Sequence, residues 1–268
     1  MPDLYATISD VPQDVQERLA GVLEMRAADV RQQEMLKSYL SEIEFPNKAH
    51  VLEIGCGTGA VTRTLAQWPR VAKAIGVDPS ATFVSKADSL STEISNVSFK
   101  VADGRSLPFD ASSFHVVVVH TTLCHVPEPQ RLLSEAKRVL SMNGWLAIFD
   151  GDYATATVST ADDDPLSVCV EAFRSGFVHD PWLVRRLPPL VAATGLLVMP
   201  MRSHGYVEAP EGGYMLTWID RGADVLFQSG RIGKDMADAL KAEARRRSET
   251  KAWFGHIAFA SVLARKAA

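Results

Sequence analysis

The chain has 268 residues, 47% of them hydrophobic and 22% charged, enough to bury a substantial core as a soluble globular protein of one large or two small domains. A net charge of -4 argues against a general nucleic-acid binder, which carries a basic stripe. No apolar stretch reaches the roughly 18 residues of a membrane span, and the first residues, with Asp3 and Asp10, lack the basic-then-apolar pattern of a signal peptide, so a cytoplasmic protein is expected.

Residues 11–45 read as helical, with Val15, Leu19, Val22, Leu23, Val30, Met35, Leu36, Leu40 and Ile43 recurring at helical steps. Phe45-Pro46-Asn47-Lys48 stops this helix. Strands are then predicted at Val51–Ile54, Ala72–Val77, Val97–Val101, Phe114–Val119 and Trp145–Phe149. Helices alternate with them: Thr58–Gln67, Ser80–Leu90 with Ser80 as N-cap, and one opened by Pro127 and reaching Leu140. Phe114–Val119 is apolar throughout and should be covered on both faces. The repetition predicts an α/β fold with a parallel, doubly wound sheet. Farther on, Pro181–Ala193 looks helical and stops at Gly195, and Leu196–Tyr206 alternates as a strand. Residues 212–250 read as two helices split near Ser229-Gly230, above the sheet, and Trp253–Leu263 supplies a last strand beside 196–206. One domain with a helical lid describes this pattern.

Ligands of an open parallel sheet bind beyond the carboxyl ends of its strands. The first strand ends in Gly55-Cys56-Gly57-Thr58-Gly59, where missing side chains allow backbone N–H groups to approach a nucleotide-like ligand. The second ends in Asp78-Pro79, a carboxylate suited to ribose hydroxyls; the third ends at Val101-Ala102-Asp103-Gly104 and the fourth at His120-Thr121-Thr122. Gly55-x-Gly57-x-x-Ala60 with Asp78 also fits a dinucleotide fingerprint, so an NAD-dependent oxidoreductase is an alternative at this point. Glu53 before the loop, the early Gly59, Asp103 and the long helical lead-in favour another cofactor.

These pieces, with Gly76-Val77-Asp78, Ala102–Phe109, His120–Pro129, Leu133–Leu140 and Asn143-Gly144-Trp145-Leu146, make the chain resemble the class I S-adenosylmethionine-dependent methyltransferases. In style it is similar to the small-molecule, quinone-biosynthesis-like group. The resemblance is strong over about residues 30–150 and only in outline elsewhere. It implies a Rossmann-like, mostly parallel seven-stranded sheet with an antiparallel last strand. Residues 1–48 would form an N-terminal helical cap, 49–205 and 251–268 the cofactor-binding core, and 206–250 a helical lid insertion. It implies S-adenosyl-L-methionine as cofactor, bound by Glu53, Gly55, Cys56, Gly57, Gly59, Asp78, Pro79, Asp103, Gly104 and His120. The glycine loop would hold the methionine end, Asp78 the ribose and Asp103 the adenine amino group.

The implied reaction is methyl transfer to O, N or C of a small organic acceptor; cyclisation or rearrangement around the bound sulfonium is the alternative within the fold. Transfer from a sulfonium needs mainly positioning and exclusion of water, with a base only for a poorly ionised acceptor. His120, His125, Asp150 and Asp152 are the candidates, and His125 has an equal claim to a capping or packing role. Asp150-Gly151-Asp152 ends the fifth strand, where a carboxylate could orient an amine or hydroxyl. Tyr5, Tyr39, Tyr153, Trp182, Tyr214, Trp218 and Phe254 are aromatic candidates for a substrate chamber. The histidine spacing suggests no metal, and Cys56, Cys124 and Cys169 read as reduced thiols. Arg245-Arg246-Arg247, among acids, reads as a solvated helix face. The expected partner is a small-molecule acceptor, without nucleic acid or membrane, for a monomer or homodimer.

Overall fold

A computed structural model describes residues 3–267; Met1, Pro2 and Ala268, at the outer ends of the expected cap and core, lie outside the described residues. The chain order is α1 (Gln13–Ala28), α2 (Val30–Leu40), β1 (Ala49–Ile54), α3 (Ala60–Ala66), β2 (Val71–Asp78), α4 (Ala81–Ser89), β3 (Val97–Val101), β4 (Phe114–His120), α5 (Pro129–Val139) and β5 (Leu140–Thr157). It continues with α6 (Ser167–Phe177), α7 (Leu187–Ala192), β6 (Leu197–Val198), β7 (Arg202–Val207), α8 (Leu216–Gln228), α9 (Lys234–Glu249) and β8 (His256–Arg265).

The strands form one sheet in the order β3-β2-β1-β4-β5-β8-β6, with β7 also on β8. The first five positions are parallel, and β8 runs antiparallel to β5. This is the expected α/β sheet with an antiparallel end strand. Its seventh position is broken into β6 and β7, which pair with successive stretches of β8. Pro200 lies between the two pieces and has no N–H to continue the ladder, which an edge strand tolerates. The sheet's centre is β4, where Val116, Val117 and Val118 are wholly buried. Burial of each such side chain stabilises the fold by about 1.5–3 kcal/mol.

Local chemistry sets several element ends. The lead-in expected as one helix is two, because Asp29 leaves the helical conformation and caps α2. Its carboxylate accepts from the N–H groups of Arg31 at 2.8 Å and Gln32 at 3.1 Å. Ser80 caps α4, its hydroxyl accepting from Phe83 N–H at 3.0 Å. Pro129, not Pro127, occupies the first turn of α5, and Leu123–His125 forms a 3-10 turn before it.

The helical layer over the far half of the sheet is larger than the pattern suggested, since α6 joins α8 and α9 there. Gly222 of α8 makes the α6 crossing possible: a Cβ there would lie 2.0 Å from the carbonyl oxygen of Cys169. The arginine run is only partly a solvated face. Arg245 and Arg246 pair at the surface with Asp220 and Glu243. Arg247 is buried and holds Asp164 across to the segment before α6, at 2.6 Å. Among the described residues, no helix is long and apolar enough to cross a membrane.

Candidate active site

A cavity of about 540 Å³ opens beyond the carboxyl ends of β1, β2 and β4. It sits at the point where chain order departs to either side of β1, toward β2 and toward β4. The segment Tyr5–Asp10, the end of α1 and the start of α2 roof it. It brings together Glu53, Gly55, Cys56, Gly57, Asp78, Pro79, Asp103, Gly104, His120 and His125 from the residues singled out in the sequence. Gly59 stands behind the loop, with φ +80°, where a Cβ would meet the Phe99 ring at 2.6 Å. Asp150 and Asp152 lie outside the lining.

The glycine loop differs from the expectation in one chemical respect. Its amides turn inward: Gly55 and Cys56 donate to the Val77 carbonyl at 2.8 and 3.0 Å, Gly57 to Asp78 at 2.9 Å, and Gly59 to the Cys56 carbonyl at 2.8 Å. These four N–H groups are therefore spent within the protein. Gly55 itself, at φ +75°, has no space for a side chain, because a Cβ would fall 2.4 Å from Thr122 Oγ1.

The floor is acidic. Glu53 is 2% exposed and accepts from the Thr62 hydroxyl. Burial pushes its carboxyl up to about 8; the Thr62 hydrogen bond opposes this and the nearby Asp78 charge adds to it. Asp78 accepts from Ser80 N–H and Gly57 N–H, both at 2.9 Å. Burial raises it to about 6 against those two donors. Asp103, at the cavity's rim, is clasped by Arg105 at 2.7 Å, and that hydrogen-bonded pairing holds its carboxyl below the usual range.

His120 ends β4 in an aromatic stack. Its ring lies 4.7 Å from that of Phe149, and its Nδ1 is 3.0 Å from the Tyr39 hydroxyl. Burial, helped by the charge of Arg26, keeps it well below the usual histidine range and therefore neutral. His125 pairs through Nδ1 with Asp3 Oδ2 at 2.7 Å, and the same oxygen accepts from His179 N–H at 2.8 Å. With the Tyr5 ring 4.8 Å away, His125 fastens the N-terminal segment over the cavity. Asp152 takes Arg185 Nε at 2.9 Å. Asp150 is fully buried, accepting from Cys124 N–H at 3.1 Å and Gly151 N–H at 2.8 Å, and braces the chain. Of the aromatic candidates, Tyr5, Tyr153 and Tyr214 line the cavity. Tyr39 and Trp218 are buried in the core, while Trp182 and Phe254 are exposed.

One lining residue, Arg26, carried no signal in the sequence, and Thr121 stood out there only as part of the fourth strand's end. Arg26 is 8% exposed, donates to Thr121 Oγ1 at 2.7 Å and lies over the rings of Tyr214 and Phe259, at 5.4 and 5.6 Å. On an amphipathic helix it reads as one more surface arginine. Thr121 itself sits at φ +49°, a rare conformation for a β-branched residue and one that concentrates at functional sites.

The stretch that carries this loop and these strand ends, residues 52–148, matches the methyltransferase domain family. An uncharacterized methyltransferase of Schizosaccharomyces pombe is 30% identical over 116 residues, 40% of this chain and 42% of that protein. The 27-O-demethylrifamycin SV methyltransferase of Amycolatopsis mediterranei is 29% identical over 151 residues, 55% and 48% of the two chains. The chain thus spans less than half the length of these curated relatives. Among solved structures, the [4+2]-cyclase SpnF superposes with a TM-score of 0.62 at 18% identity, covering 100% of this chain and 97% of that one. At that identity the likeness concerns the fold.

Proposed function

We propose that the protein is an S-adenosylmethionine-dependent methyltransferase acting on O, N or C of a small organic acceptor. The observation that carries this reading is the pairing of an inward-turned glycine loop with an acidic floor. A dinucleotide's pyrophosphate needs backbone N–H donors at this position, and here four of them are committed to Val77, Asp78 and Cys56. Glu53 and Asp78, both lining the cavity, favour a ligand whose central part is cationic. The methyltransferase family match over the same residues supports this choice over NAD.

When bound, S-adenosylmethionine supplies an electrophilic methyl group on a sulfonium. In this reading Asp78 receives the ribose hydroxyls on the lone pairs left free by Ser80 and Gly57. Asp103 and Gly104 border the adenine, and Cys56 and Pro79 flank the two halves. Glu53 braces the loop through Thr62, and its carboxyl, protonated in the ligand-free fold, adds negative potential beneath the loop once that proton is released beside the cationic cofactor. The Asp3–His125 pair and Tyr5 close the cavity against water, which a displacement at carbon requires. Neutral His120 stands at the end of β4, between the cofactor strands and β5. In the tautomer that donates Nδ1–H to the Tyr39 oxygen, its Nε2 carries the lone pair that takes a proton from an acceptor hydroxyl or amine.

The likeness to a cyclase keeps one second reading in play, rearrangement without methyl transfer. Incubation with radiolabelled S-adenosylmethionine and a panel of phenols, quinones, amines and acids separates the two. Label in an acceptor, with S-adenosylhomocysteine formed in equal amount, supports methyl transfer. A converted substrate that never acquires label supports the second reading.

A further inference from the structure

The strand order separates two ends of the cavity. Asp103 and Gly55 follow β3 and β1, and Asp78 and His120 end β2 and β4. Beyond β4 the sheet continues to β5 and β8, and the wall there is built from different chemistry. Arg26 lies against Phe259 of β8 and against Tyr214, which precedes α8. Its two hydrogen bonds go to neutral oxygens, Thr121 Oγ1 at 2.7 Å and Gln32 Oε1 at 3.4 Å.

Arg26 makes no ion pair among the described residues, in contrast to the other buried arginine, Arg247, which holds Asp164. The buried acid nearest in the sheet, Asp150, spends its oxygens on Cys124 and Gly151. The charge of Asp150 reaches Arg26 only at a distance, without a direct contact, so the guanidinium keeps N–H donors that a ligand can complete. A second donor stands beside it: Gln32 is 5% exposed and its Nε2 has no hydrogen-bond partner. Both residues line the cavity, together with Tyr5, Tyr153 and Tyr214. The recess thus offers a cation, a spare amide donor and aromatic walls.

We infer that the methyl acceptor is an organic carboxylate. Its anionic group pairs with Arg26 and takes the Gln32 amide, while a flat apolar body lies among the three tyrosines. This rests on the methyltransferase reading and names the substrate class of that site. The planar guanidinium fork suits a carboxylate, which it meets with two parallel bonds. Its contacts with Phe259 of β8 and with Tyr214 favour the acceptor, while its hydrogen bond to Thr121, whose neighbour Thr122 packs on Gly55, makes the cofactor's own carboxylate the competing occupant that the test separates.

The test is calorimetry on the whole chain. S-adenosylhomocysteine is titrated first, and the saturated protein is then titrated with 4-hydroxybenzoate, cinnamate and their neutral amides. The acids should bind at least about tenfold more tightly than the amides. Arg26→Met should abolish that preference and leave S-adenosylhomocysteine affinity within about twofold, while Arg26→Lys keeps part of the preference. Should the methionine variant fail to fold, the lysine variant carries the comparison. Equal binding of acids and amides, or binding of neither, overturns the inference. So does a loss of about tenfold in S-adenosylhomocysteine affinity in either variant, which would assign Arg26 to the cofactor. Wild-type protein that binds no S-adenosylhomocysteine at all would overturn the methyltransferase reading itself.

Discussion

Replacing Glu53 with Gln should flatten the protein's loss of stability as pH rises from about 5 to about 8. In the folded chain this carboxyl keeps its proton to about pH 8, against an ordinary value of 4.5, because burial disfavours the charge. Between those values the folded state binds a proton that the unfolded state has released, so stability falls as pH rises through the window. Each pKa unit corresponds to about 1.4 kcal/mol, which puts the full effect on the order of 4–5 kcal/mol. Asp78 acts in the same direction, but its folded value of about 6 ends its share earlier, leaving the upper part of the window to Glu53. Unfolding free energies from urea titrations between about pH 5 and about pH 9 should drop by several kcal/mol more in wild type than in Glu53→Gln. The divergence should be steepest between about pH 5.5 and 7, midway between the two values, and should fade above about pH 8. Parallel curves for the two proteins would refute the claim that Glu53 is buried, protonated and uncompensated in the ligand-free fold.

Other consequences are separable. Because ionised Glu53 and Asp78 favour a cationic ligand, binding of S-adenosylmethionine near neutral pH should release protons, detected by calorimetry in buffers of different ionisation enthalpy. Asp78→Ala should weaken that binding by about 1–3 kcal/mol, the usual cost of losing hydrogen bonds to a charged group. At the α6–α8 crossing, Gly222→Ala forces a methyl to within 2.0 Å of the Cys169 carbonyl, so a loss of about 1–3 kcal/mol or more is expected in thermal unfolding. Arg247→Met strands the buried Asp164 and should cost about 3–5 kcal/mol by the same measurement. An unchanged melting curve in either variant would contradict the packing described for the helical layer.

The legible parts of this chain were those where backbone geometry dictates residue type. Gly55 needs positive φ beside Thr122, Ser80 caps a helix, and the Val116–Val118 run must be covered on both faces. Each leaves a pattern readable without a structure, and together they located the cavity. What stayed hidden depends on tertiary placement. The amides of the glycine loop face Val77 and Asp78, a fact of register between β1 and β2 that glycine spacing does not encode. Arg26 and Arg247 look like surface charges because periodicity describes which face of a helix is polar and not what later packs over it. The helix α6 carries a buried face, yet it follows an acidic, irregular stretch and was absorbed into the core in outline. Asp152 looked poised at a strand end, but β5 continues past it to Thr157, and its carboxylate meets Arg185.

The central claim is that this cavity takes S-adenosylmethionine rather than a dinucleotide, and calorimetry with S-adenosylmethionine, S-adenosylhomocysteine and NAD tests it most directly. The account predicts saturable binding of both S-adenosyl ligands, weakened in Asp78→Ala, and no comparable binding of NAD. Preferential binding of NAD would contradict it.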